Sequence, residues 1–228
     1  MRNVIVAGMV LALTAGAAAQ KPAHPEVDLR GRLYRSVFQT GPPYLSSGDL
    51  ADLPEALRAR LSSYLTRRAA FTSKYEGTAS GFESAASDAK KRAIERAIVS
   101  VADDPKADGL ALAFLKGAPI AAEWKLSSEA PAAEAAFAEK YLEGEPSSPL
   151  APFLHVFIAH RQRAAFELAE REKNVEAQTA AARKYRTFIQ RARAAKDPIY
   201  GLIADDIDRQ AWVHARAAVH PRDFKPGG

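Results

Sequence analysis

Apolar positions along this chain recur every three or four residues, and no stretch keeps the strict alternation of a strand. Leu29, Leu33 and Val37 lie four apart, with Tyr34 and Phe38 beside them, until Gly41-Pro42-Pro43 ends the run. A second helix is predicted from an Asp52 cap. It aligns Leu57, Leu61, Tyr64, Leu65, Phe71 and Tyr75 and stops at Gly77. A third carries Ile94, Ile98 and Val101 and is closed by Asp104-Pro105. Residues 106–117 and 118–127 read as two short helical pieces separated at Gly117. Ser128 is the expected cap of the next helix, which holds Phe137 and Tyr141.

Residues 150–172 form a long apolar helix, and Asn174 opens another that runs to Lys196. Asp197-Pro198 starts the last, whose stripe continues through Ile199, Leu202, Ile203, Ile207 and Ala211 to His214 or Ala215. The expectation is an all-α protein of about eight helices, paired as antiparallel hairpins in a bundle or solenoid. Its parts are a signal peptide at 1–19, a helical region at 20–126, helical hairpins at 127–220 and a flexible tail at 221–228.

One stretch carries a family likeness. Ala133, Phe137 and Tyr141 recur every four residues, followed by Pro146, Ser148, Ala151 and Pro152. Ala133 admits a close neighbour, the two rings fill a groove, Pro146 breaks the chain and Ser148 can cap the helix opening at Pro149. Ala181, Tyr185 and Phe188 before Asp197-Pro198 repeat the small–aromatic–turn order. This pattern resembles a degenerate, lengthened tetratricopeptide unit of the exported bacterial type, over residues 133–198. The resemblance implies a non-catalytic scaffold for protein–protein binding.

The first residues change the picture of where the chain works. A basic start, the apolar run Val4–Ala17 and small residues at Ala17 and Ala19 read as a secretory signal cleaved before Gln20. The expected location is therefore periplasmic or secreted, with no transmembrane segment after processing. The sequence has no cysteine, which removes disulfides, thiolate chemistry and lipoprotein acylation. The net charge of +5 is uneven: residues 153–196 carry 10 basic groups against 4 acidic ones.

Within that span, residues 183–196 hold six basic groups and no acid. Tyr185, Phe188, Ile189, Ala192 and Ala195 take one helix face, and Arg183, Lys184, Arg186, Arg191 and Arg193 wrap the other. Those five cations are the candidate binding residues. Nucleic acid is not expected for an exported chain, so an acidic partner or an anionic lipid or glycan surface is the matching contact. Asp205, Asp206 and Asp208 are expected to face this basic helix. Trp124, Tyr141 and Trp212 either line a groove or fill the core.

For catalysis the sequence offers little. Glu83-Ser84 after a glycine-bearing loop resembles the acid of a lytic transglycosylase, without the downstream motif of that family. His155 and His160 are five apart, off the shared face that a helical zinc site needs, so no metal and no cofactor is expected. The leading expectation is an exported binding protein with an envelope partner. A surface-associating module built on 183–196 is the alternative, and a wall hydrolase built on Glu83 is a third reading.

Overall fold

A computed structural model describes residues 33, 37, 38, 45–75 and 86–226. The expected signal peptide at 1–19 and Glu83 lie outside the described residues. Within them the fold is all-α: a 3-10 turn at Ser47–Leu50 precedes seven α-helices. These are α1 (Glu55–Tyr75), α2 (Ala86–Ala102), α3 (Ala107–Gly117), α4 (Glu129–Gly144), α5 (Ala151–Arg171), α6 (Val175–Arg193) and α7 (Pro198–Arg209).

The organising element is α5, which packs against α2, α4, α6 and α7. It is buried on every side from Val156 to Ala169. A helix enclosed on all faces is expected to be apolar all round, and Phe153, Leu154, Phe157, Ile158, Phe166 and Leu168 meet that requirement. His160, Arg161, Gln162, Arg163 and Glu167 are buried with them and do not. One hydrophobic core runs from Leu33 to Ile207 and crosses the boundary expected at 126–127. Phe114 of α3 illustrates the crossing, with its ring 5.4 Å from Phe137 and from Tyr141 and 6.3 Å from Phe157.

Turn chemistry sets the hairpins. The α5–α6 turn is a Schellman closure, in which the Asn174 N–H donates to Ala169 O and the Lys173 N–H to Glu170 O. Asn174 then caps α6, its side chain accepting from the Ala177 N–H at 3.0 Å. Lys173 holds the left-handed position at φ 57°, where glycine carries no Cβ penalty. Lys173→Gly is therefore expected to raise stability by about 0.5–1 kcal/mol, read from the urea midpoint. A lower midpoint would mean that the lysine stem contributes packing that outweighs the backbone term.

Helix ends elsewhere are closed by side chains from other helices. The last four carbonyls of a helix have no intrahelical partner. At the end of α2, Arg67 Nε donates to Val99 O at 2.8 Å, while Arg60 Nη2 and the Tyr200 hydroxyl donate to Val101 O. Arg60 also pairs with Asp197 at 2.6 Å, and Asp197 in turn caps α7 by accepting from the Ile199 N–H. The stretch read as a tetratricopeptide-like turn is tied in the same way. The Tyr141 hydroxyl lies 3.0 Å from Ser148 Oγ, which accepts from the Leu150 N–H.

Three sequence expectations are corrected. Residues 118–127, expected as a short helix, form an irregular segment in which Lys125 and Leu126 have φ values of 41° and 62°. The Ser128 hydroxyl does not cap α4; it donates to Glu172. The last helix ends at Arg209, short of His214. The chain beyond it packs on the helices as far as Phe224, whose ring is edge-on to Phe166 at 5.3 Å, and Arg186 donates to Pro221 O.

Candidate functional site

Buried charges of α5 explain where the last helix stops. Arg163 donates through both terminal nitrogens, to Ile207 O and Gln210 O, and closes the C-terminus of α7. Glu167 accepts from the Val213, His214 and Ala215 N–H groups and pairs with Arg163 Nε at 3.2 Å. Glu170 accepts from the Ala218 N–H, and Glu172 from Ser128. Three consecutive N–H groups pointing at one carboxylate cannot also bond along a helix, so the apolar period continues in sequence past Arg209 while the helix stops. That bend brings Val213 and His214 to the mouth of a cavity.

The cavity has a volume of about 760 Å³ and lies between α2, the 122–126 segment, α5 and residues 213–214. Lys90, Ile94 and Arg96 enter from α2, His160 and Arg161 from α5, and Trp124, Lys125 and Leu126 from the irregular segment. Phe38 closes one side, its ring stacked on His160 at 4.2 Å. Leu126 is 58% exposed at the rim. A second cavity of about 620 Å³, between α4, α5 and α6, is walled chiefly by alanines. Convergent aromatic and polar groups mark binding sites, and of these two cavities only the first has aromatic side chains in its wall.

Behind its wall sits a fully buried carboxylate. Glu134 Oε1 accepts from the Trp124 indole at 2.8 Å and from the Ala121 N–H at 3.1 Å. Its Oε2 accepts from Arg161 Nε at 2.9 Å, and Lys90 Nζ approaches at 3.6 Å. This clamp holds the 118–128 segment in its non-helical path and turns the indole inward. Lys90 lies over the indole at 4.1 Å and Arg161 at 5.2 Å, both within range of the negative ring face. Burial brings Lys90 down to about 8, against the pull of Glu134.

The histidines around the site are held neutral. Burial, then the cations Arg161 and Lys90, keep His160 well below its ordinary value. Its Nδ1 lies 3.0 Å from Arg161 Nη1, and a guanidinium only donates, so the ring proton is on Nε2. His155 and His214 are also lowered, chiefly by burial, and burial takes His220 to about 4. As pH falls through 6.5, the unfolded chain gains protons that these folded-state rings refuse, so stability falls with it. The thermal midpoint is therefore expected to drop between pH 6.5 and 4, by calorimetry; a flat profile over that interval would refute the burial argument.

Three of the five cations singled out in the sequence are paired within the chain. Lys184 pairs with Glu139 at 3.0 Å, and Arg186 is bound to the carbonyls of Pro221 and Phe224. Arg193 pairs with Asp205 at 2.8 Å and Asp208 at 3.0 Å, two of the three acids expected to face it, while Asp206 accepts from Gln210. Arg183 is exposed, and Arg191 lies exposed over the Phe188 ring. Among the described residues no three His, Asp or Glu side chains are grouped as metal ligands. No described helix is long and apolar enough to cross a membrane. Sequence reasoning missed Lys90, Glu134 and Arg161; a charge set inside the largely apolar α5 was the available signal for Arg161, and Lys90 and Glu134, on ordinary amphipathic helices, carried none. No family model matches the chain, and no curated protein or solved structure is significantly similar to it.

Proposed function

We propose that the chain is an exported, non-catalytic binding protein of the bacterial cell envelope, tetratricopeptide-like over residues 133–198, that engages a partner protein through the cavity beside Trp124. The observation carrying this reading is the 760 Å³ space with Lys90, Trp124 and Arg161 in its wall and an exposed leucine on its lip. Two successive non-glycine residues in the left-handed region, Lys125 and Leu126, form that lip. Strain of this kind persists where the surroundings impose it and is concentrated at functional sites. The alternative contact, an anionic lipid or glycan surface on the basic helix, is weakened because Lys184, Arg186 and Arg193 are committed within the chain.

A photo-crosslinking amino acid at Leu126, compared with the same group at Arg183, tests the reading in native envelope fractions. The expected result is a discrete protein adduct from position 126 that excess unlabelled mature protein abolishes, with none from position 183. An adduct from 183 alone, or none from either, would overturn it.

A further inference from the structure

The charge and wall chemistry of the cavity narrow what can enter it. Among the described residues, Lys90, Arg96, Lys125 and Arg161 line it against one lining carboxylate, Glu123. Glu134 adds one negative charge behind the wall, and that charge already serves Arg161 Nε and the Trp124 indole. His160 and His214, held below their ordinary range mainly by burial, add no charge of either sign at neutral pH. The described walls therefore carry a cationic surplus. Its apolar walls, Phe38, Ile94, Trp124 and Val213, favour a flat hydrophobic group beside the anion.

We infer that the cavity receives an acidic peptide segment bearing an aromatic residue, with a carboxylate directed at Lys90 and the ring packed between Ile94, Trp124 and Leu126. Lys90 is the apt recognition point because its own ion pair is loose, with 3.6 Å between Nζ and Glu134 Oε1. An incoming carboxylate can approach to hydrogen-bond distance without breaking the shorter Arg161–Glu134 contact. Arg161 keeps the wall in place and the indole keeps the ammonium aimed. The exposed Leu126 at the rim suits a segment that continues out of the cavity rather than a ligand wholly enclosed by it. This inference rests on the cavity being the protein-binding site proposed above.

The test monitors the Trp124 indole N–H by NMR, assigned with a Trp212→Phe variant. The probe is a capped pentapeptide with phenylalanine between two aspartates, its asparagine counterpart is the control, and free phenylacetate is the small-molecule comparison. The acidic peptide is expected to shift the Trp124 signal and to bind about tenfold more tightly than the asparagine form, the worth of one charge-assisted hydrogen bond. Lys90→Gln should remove that preference, and Lys90→Arg should retain most of it. Equal binding of the aspartate and asparagine peptides would overturn the inference. So would phenylacetate binding as tightly as the peptide, which would make the cavity a small-molecule site. If the Leu126 adduct forms while none of the probes moves Trp124, the ligand class fails and the binding site stands; if the adduct is also absent, both fall.

Discussion

Glu167→Ala is expected to lower the unfolding free energy by about 3–5 kcal/mol, the cost of leaving one partner of a buried ion pair uncompensated. Glu167 and Arg163 are each 1% exposed, so solvent cannot take over for the missing carboxylate. The same change removes the acceptor of three backbone N–H groups at 213–215. Arg163→Met would instead strip the acceptors Ile207 O and Gln210 O of their donor. In many buried pairs, replacing both partners with apolar residues is nearly neutral. Here each partner also closes a chain end, so Arg163→Met with Glu167→Leu should still cost roughly as much as the worse single change. Urea denaturation of the two single variants and the double variant forms the cycle. A double variant as stable as the unaltered chain would show that the pair serves only itself.

The helix boundaries that the sequence located are the ones fixed by local chemistry. Asp104-Pro105, Asn174 and Asp197-Pro198 act on the next two or three N–H groups, so their effect is contained in a few residues. The boundaries it misplaced are set from a distance. At 118–127 and 210–215 the apolar period continues, but Glu134 and Glu167 reach across from α4 and α5 and bind backbone N–H groups that a helix would need. Periodicity reports which side of a segment is apolar. It is blind to a buried carboxylate elsewhere that competes for the segment's backbone.

The same limit applied to the candidate site. Five basic residues between 183 and 193 read as one charged face, yet Lys184, Arg186 and Arg193 turn to three different neighbours. A helix wheel gives the angle of a side chain and not what the next helix offers it. Conversely, Lys90, Trp124, Glu134, Arg161 and His214 are spread over several helices and loops, and only the folded chain joins them. Trp124 shows that the two sequence readings of that residue were compatible: it is 7% exposed and also walls the cavity.

Glu134→Gln carries the second large expected effect, a loss of about 3 kcal/mol or more, together with a change at the cavity. The carboxylate receives only donors: the Trp124 indole, the Ala121 N–H and Arg161, with Lys90 nearby. Glutamine has one acceptor and one donor end, so whichever way the amide turns, its NH2 group meets a donor. Arg161, 3% exposed, then loses the carboxylate to which its Nε donates. The path of residues 118–128 depends on the same contacts, so Trp124 should lose its place in the wall. Tryptophan emission in a Trp212→Phe background is expected to shift to the red before global unfolding begins, and the Leu126 crosslink should disappear with it. Unchanged emission alongside lost stability would separate the clamp from the cavity and leave Glu134 a purely structural residue.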